Sequence, residues 1–303
     1  MNIQWYPGHM TKARRMIIDN IKLIDAVCEV IDARIPLSSR NPDLDEMTNG
    51  KPRLIILNRI DQADPVNTKK WAAHLKKSGA AVMETDSKSG KGVSGFAVAV
   101  RALLSDKLEQ YASKGQTGRQ LRLMVVGIPN VGKSSFINRI AKRKATQTSD
   151  RPGVTKGKQW INLDNGLELL DTPGVLWPKF EDQTVAENLA FTGAIRDAIM
   201  DIETLGATLM SRLSTRYPER LIDRYKIDAD ICAGFDASVD TDIGASVDMS
   251  VDTSLKGFEL LRLAAAKRGF LVPGGEYDLE RMAIILLDEF RGGKLGRITL
   301  EWC

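Results

Sequence analysis

Three hundred and three residues, 43% of them apolar, are enough for about two domains that each bury a core, which excludes disorder of the chain as a whole. The longest uninterrupted apolar run, Met282–Leu287, is far short of the roughly 20 residues of a membrane span, the opening MNIQWYPGHM lacks the apolar core of a secretion signal, and the cysteines Cys28, Cys232 and Cys303 have no CxxC spacing. A cytoplasmic protein without membrane association, disulfide framework or structural zinc is expected. The net charge is only +4, but residues 229–254 hold six Asp and no Lys or Arg, and Arg119–Lys158 carries ten basic residues against one acid, a surface suited to polyanions.

From Asn20 to about Asp171, short β-branched runs alternate with amphipathic stretches, the pattern of an α/β fold with a parallel sheet and crossover helices. In chain order the expected elements begin with a helix over Thr11–Ile24, capped by Thr11, and a strand over Ala26–Ile31. A strand over Arg53–Leu57, a helix over Pro65–Ser78, a strand over Ala80–Glu84 and a helix over Val93–Ser113 follow. The segment KGQTGRQ, 114–120, reads as a linker between two halves of one sheet. Beyond it come a strand over Leu121–Val126, a helix over Lys133–Arg143, and strands over Gln159–Leu163 and Glu168–Leu170, joined by Asp164-Asn165-Gly166 as an edge hairpin.

After Pro178 helical periods take over, at Thr184–Ile195, Glu203–Leu213, Pro218–Tyr225, Leu255–Arg268 and Leu279–Arg291. The chain therefore reads as an α/β domain over 1–178 and a smaller all-helical domain over 179–303. The low-complexity acidic stretch 229–254, with its repeated Ser-Val-Asp triplets, is expected to be a flexible excursion.

Gly127-Ile-Pro-Asn-Val-Gly132-Lys133-Ser134 matches GxxxxGK[ST] between the apolar strand LRLMVV and a helix, which is where a phosphate loop belongs. The glycines let the backbone wrap a phosphate with its N–H groups inward, those of Val131 and Gly132 among them, at the positive end of the helix. Lys133 is expected to reach the β and γ phosphates, Ser135 to line the loop, and the Ser134 hydroxyl to meet Mg²⁺. The second carboxylate of such a site, Asp171 in Asp171-Thr-Pro-Gly174, ends a strand 38 residues after Lys133, and the Gly174 amide can sense the γ-phosphate. Between them, Thr155 in RPGVTKGKQW is the natural hydroxyl to cap the metal in the triphosphate state, with Thr146, Thr148 and Ser149 as rivals.

At the end of the strand RLIIL, Asn58-Arg59-Ile60-Asp61 resembles the guanine motif NKxD. Guanine presents N1–H and N2–H₂ side by side, a donor pair that one carboxylate accepts bidentately, whereas adenine would leave Asp61 desolvated. Asn58 would hold the base loops, and Arg59, in place of the usual Lys, can still stack on the purine. Thr85-Asp-Ser87-Lys88 loosely matches the second base-side loop, with the Ser87 N–H assigned to the guanine carbonyl. The base motif precedes the phosphate loop, the reverse of the usual order. A circular permutation of a compact sheet resolves this.

With WYPGHMTKA, IDARIP, NRID, GIPNVGKSS, RPGVTK, DTPGVLWP and RGGKLGRITLE, the sequence resembles the circularly permuted GTPases of the ribosome biogenesis GTPase A family over nearly its whole length. The resemblance implies GTP or GDP as ligand, Mg²⁺, and a role in late assembly of the large ribosomal subunit. Val175 and Leu176 stand where many GTPases carry a water-orienting Gln, so hydrolysis should be slow without a partner. The resemblance implicates His9, which the residues alone read as a turn histidine, in catalysis. It also associates Asn130 with potassium, although a loop-stabilising role fits equally. Arg262, Lys267, Arg268, Arg281, Arg291, Lys294 and Arg297 offer an anion-binding face, for which the resemblance implies ribosomal RNA and protein. The expected state is monomeric. Two other readings stay open: a tRNA-linked or signalling GTPase, and an RNA-binding module with GTP as a structural ligand.

Overall fold

The computed structural model describes residues 6–116, 118–141, 159–163, 166–234 and 249–303. Six strands, β1 (Ala26–Asp32), β2 (Arg53–Asn58), β3 (Ala81–Glu84), β4 (Leu121–Val126), β5 (Gln159–Leu163) and β6 (Leu167–Asp171), form one sheet in the order β3-β2-β1-β4-β6-β5. All neighbours are parallel except β5, which runs antiparallel to β6 at the edge. Helices cover both faces, so the central strands read as continuous apolar runs, and all seven residues of β1 are buried.

Alternation along the strands puts two hydrophobic clusters on one face of the sheet. Val27, Met124, Val126 and Leu170 pack with Ala13 and Ile17 of α1 (Gly8–Asn20) and with Leu44 and Met47 of α2 (Leu44–Thr48). Ile31, Ile55 and Leu57, on the same side of the sheet, pack with Ala72 and Leu75 of α3 (Pro65–Lys77). Elsewhere in the unit, Phe96 of α4 (Phe96–Leu103) meets Phe136 of α6 (Lys133–Ala141) edge to face, with ring centroids 5.4 Å apart.

Several boundaries differ from the sequence reading. Helix α1 starts at Gly8, directly after the extended Pro7, and Thr11 lies exposed within it and caps nothing. It ends at Asn20, and a 3₁₀ turn covers Ile21–Leu23. The single helix expected over Val93–Ser113 is a 3₁₀ turn at Val93–Gly95, then α4, then α5 (Ser105–Ser113), broken at the buried Leu104 with φ −110°. Helix α3 begins as expected of an Asp-Pro start, with Asp64 accepting from the Asn67 N–H at 2.8 Å.

The chain separates into two compact units, one ending at Glu181 and rejoined by Glu301–Cys303, the other spanning Asp182–Leu300. The last three residues, expected with the helical half, thus group with the sheet. The second unit holds α7 (Gln183–Phe191), α8 (Ile202–Arg216), α9 (Pro218–Tyr225), α10 (Ala229–Gly234), α11 (Met249–Lys267) and α12 (Leu279–Arg291). Both ends of the stretch expected to be flexible are helical: α10 occupies 229–234 and α11 begins at Met249, while 235–248 lie outside the described residues. Inside this unit the carboxylate of Glu289 accepts from Arg224, Tyr225 and Arg268, which hold its pKa down to about 2 against the raising effect of burial.

Candidate nucleotide-binding site

Because β1, β2, β3, β4 and β6 run parallel, the loops leaving β2, β3, β4 and β6 open at one edge of the sheet, the usual place for a ligand in such folds. The registers Asp32↔Asn58 and Val125↔Asp171 bring the base motif, the phosphate loop and the metal-side carboxylate to that edge together.

On the base side a cleft of about 430 Å³ is lined by Asn58, Arg59, Asp61 and Gln62 from one loop, Asp86, Ser87 and Lys88 from another, and Gly132, Ser135, Asn138 and Arg139 from the phosphate loop and α6. Asn58 is the buried hub of these loops. Its Nδ2 donates to the Val131 carbonyl at 2.9 Å, and its Oδ1 accepts from the Thr85 hydroxyl at 3.1 Å and the Ser87 hydroxyl at 2.7 Å. The Ser87 N–H, expected to face the guanine carbonyl, instead donates to the same Asn58 oxygen at 3.1 Å, and the Lys88 N–H donates to Asp86 at 2.8 Å. Asp61 is exposed on the rim, where its carboxylate can meet a base edge.

Arg59 has a left-handed backbone, φ 62°, and so has Asn130, φ 62°. The Arg59 Nη2 donates to the Asn130 carbonyl at 2.8 Å, so the arginine standing in for lysine ties the base motif to the phosphate loop. Burial pushes its pKa down, and the neighbouring Asp32 counters that.

On the phosphate side Gly132 has φ +96°, and a Cβ there would come within 2.4 Å of Asn58 Nδ2, so only glycine closes this turn. The buried Lys133 bends back onto the loop it starts from, donating to the carbonyls of Gly127 at 3.0 Å and Ile128 at 2.7 Å. Burial lowers its pKa to about 8, with the nearby Asp171 carboxylate opposing the shift. Asp171 is buried at the end of β6, whereas Ser134 and Ser135 are exposed at the start of α6. A hydroxyl open to solvent and a carboxylate near Lys133 are the oxygen donors Mg²⁺ takes, so these residues fit that ion.

The strand-to-loop passage after Asp171 is tight. The Thr172 hydroxyl donates to the Val125 carbonyl at 2.7 Å, and the Val175 N–H donates to the Gly127 carbonyl at 3.2 Å. A Cβ on Gly174 would lie 2.7 Å from the Pro129 backbone nitrogen. Val175 and Leu176 are buried, Val175 in the core shared with α1, so neither addresses water at the phosphates. His9 is exposed in the first turn of α1, beside the fully buried Met10, and is not in a loop. Thr155 lies outside the described residues, as do Thr146, Thr148 and Ser149.

Two contributors escape a motif search. Arg139 donates from its Nε to the Ser87 carbonyl at 3.2 Å and from Nη2 to the Lys88 carbonyl, gripping the base loop from α6. Asn41 Nδ2 donates to the Val175 carbonyl at 3.1 Å. The four-residue spacing of Ser135 and Arg139 on one helix face was the readable signal for the first. For Asn41 the sequence carries no signal. In the helical unit, the anion-binding set loses members. Arg268 is bound to Glu289, Arg291 to Asp197 and to the carbonyls of Ala190 and Phe191, and Arg262 pairs with Glu259, while Lys267, Arg281, Lys294 and Arg297 are exposed.

A phosphate loop, a guanine-type base motif and a strand-end DxxG around one sheet edge, in permuted chain order, define a GTPase: the protein binds GTP and GDP and hydrolyses GTP. Residues 122–211 match a family described as "50S ribosome-binding GTPase". The chain is 43% identical to the ribosome biogenesis GTPase A of Bacillus cereus over 99% of its own length and 94% of the relative's. With that of Thermotoga maritima it shares 32% identity over 99% and 94%. The crystal structure of GNP-bound YlqF from T. maritima superposes with a TM-score of 0.60 at 28% identity, covering 96% of this chain and 98% of that one. The chain belongs to the ribosome biogenesis GTPase A family.

Proposed function

We propose that the protein is a GTP-switched assembly factor that acts on the large ribosomal subunit late in its maturation, as a cytoplasmic monomer, and leaves when GTP is hydrolysed. The observation that carries this reading is the clamp at Gly174–Val175. The Val175 backbone is bonded to the phosphate loop at Gly127 and to Asn41, and seven residues later, at Asp182, the chain enters the helical unit. A γ-phosphate that recruits the Gly174 amide would pull on this clamp, and the helical unit is next along the chain. The exposed Lys267, Arg281, Lys294 and Arg297 supply that unit with charge for ribosomal RNA.

In hydrolysis, Lys133 and the amides of the phosphate loop stabilise the charge that develops on the transferred phosphoryl group. Mg²⁺, held by Ser134 with Asp171 ordering its outer shell and Thr155 capping it, would neutralise the β and γ oxygens. Asn130 would hold potassium, which would supply a further positive charge to the site. With Val175 and Leu176 buried, His9 takes the task of positioning the attacking water, and the ribosomal subunit brings it into place. Turnover measured at saturating GTP, with and without large subunits, tests the reading. Subunits are expected to raise kcat of the wild type, and His9→Ala to lower the stimulated kcat by roughly 10²-fold with GTP affinity nearly unchanged. No stimulation by large subunits contradicts the assembly role, and a stimulated kcat within about threefold of wild type in His9→Ala contradicts the role of the histidine.

A further inference from the structure

Arg59 is held from a side for which the base motif does not account. β1 and β2 are in register at Asp32 and Asn58, so the carboxylate that ends β1 lies next to the first residue after β2. Asp32 Oδ2 is 3.6 Å from Arg59 Nε, a buried atom that makes no hydrogen bond among the described residues. Behind Asp32 stands Arg34, and each is only 1% exposed. Arg34 closes a fork on the carboxylate, Nε to Oδ1 at 3.0 Å and Nη2 to Oδ2 at 2.7 Å, while its own N–H donates to Oδ1 at 3.0 Å. The Asp32 N–H in turn donates to the Ser39 hydroxyl at 2.9 Å, which fixes the strand end itself.

One carboxylate therefore faces two guanidiniums, of which only Arg34 is needed to pair it. Burying such a group costs several kcal/mol, and a plain strand end could be built from neutral residues. The second guanidinium is the one that leads to the nucleotide site. From Asp32 it extends to the Asn130 carbonyl through Nη2 at 2.8 Å and to Gln62 through Nη1 at 3.3 Å. The ammonium of a lysine is a single point and cannot face Asp32 and the phosphate loop with separate atoms, whereas arginine turns Nε toward the one and Nη2 toward the other.

We propose that Asp32, locked by Arg34, is a positioning residue for nucleotide binding: it sets the orientation of the Arg59 guanidinium so that base motif and phosphate loop close on the same ligand. Asp32 touches no nucleotide itself. Its contribution is slow release of the bound nucleotide, and it passes entirely through Arg59. The arginine in the base motif and the Asp-Ala-Arg at the end of β1 are then one device.

Release of the fluorescent analogue mant-GDP, followed by stopped flow, tests this in the wild type, Asp32→Asn, Arg59→Ala and the double variant. Asp32→Asn leaves Arg34 buried without its partner and can fail to fold, so Asp32→Asn/Arg34→Met, which removes the fully buried pair together, is measured with Arg59 present and with Arg59→Ala. Removing Asp32 is expected to speed release about tenfold where Arg59 is present and less than twofold where it is alanine. Equal acceleration in the two backgrounds would show a general loosening of the unit and overturn the proposal. So would release within twofold of wild type in Asp32→Asn/Arg34→Met.

Discussion

In the proposed site, Lys133 sets the pH range in which the loop holds phosphate. Its ammonium is buried against two carbonyls, and burial lowers its pKa to about 8. Relative to an unfolded chain, whose lysine titrates near the usual 10.5, the folded protein binds fewer protons between these limits. This group therefore opposes folding below pH 8, and the penalty fades as pH rises toward 10.5. Nucleotide binding has the opposite sense: phosphate charge beside the ammonium restores its affinity for the proton. Binding is accordingly level below pH 8 and weakens above it, by up to about tenfold per pH unit, with proton uptake on binding. A mant-GDP titration from pH 7 to 9, below the deprotonation of guanine N1–H, checks this. The wild type should show the fall and Lys133→Ala a flat, weaker profile, whereas a flat wild-type profile would place the lysine elsewhere.

In the proposed switch, the tight turn from β6 into 172–176 is the part that distinguishes triphosphate from diphosphate. Gly174 has no room for a side chain because the Pro129 backbone lies 2.7 Å from where a Cβ would be. Overpacking of this kind costs about 1–3 kcal/mol, and here it falls on the loop proposed to meet the γ-phosphate. Gly174→Ala is expected to weaken a non-hydrolysable GTP analogue about tenfold or more while changing GDP affinity less than about threefold. Calorimetric titration of both ligands checks it, and an equal loss for both would make the turn a scaffold rather than a sensor.

The same elements show how far the sequence could be read. The strands were visible because a sheet covered on both faces demands unbroken apolar runs such as RLIIL, and the phosphate loop because its chemistry fixes residue types at fixed spacing. The break at Leu104 was not visible, since the apolar period continues across it. Nor was the capture of the Ser87 N–H by Asn58, which depends on two loops meeting in space. Arg268 and Arg291 read as surface charge because Glu289 and Asp197, their partners, are distant or polar-facing in the linear pattern.

For the whole molecule, the chain leaves the sheet unit after Glu181 and returns to it at Glu301. The return is anchored. The Glu301 carboxylate accepts from the Leu37 N–H at 2.6 Å, the Ser38 N–H at 2.9 Å and the Ser38 hydroxyl, and its carbonyl accepts from Trp71 Nε1 at 3.0 Å. Glu301 is thus held inside the sheet unit at the point where the chain re-enters it. Glu301→Ala is expected to lower the stability of the sheet unit by about 1–3 kcal/mol and to speed amide exchange at Leu37 and Ser38 at least about tenfold. Unchanged exchange at these amides would mean that the anchor is idle in solution.

The central claim is that nucleotide state governs engagement with the large subunit, and the most direct measurement is sedimentation of the protein with large-subunit precursors in two states. Loaded with a non-hydrolysable GTP analogue, the protein should pellet with the particles. Loaded with GDP, it should remain in the supernatant. Equal pelleting in the two states, or equal pelleting with small subunits, would contradict the account.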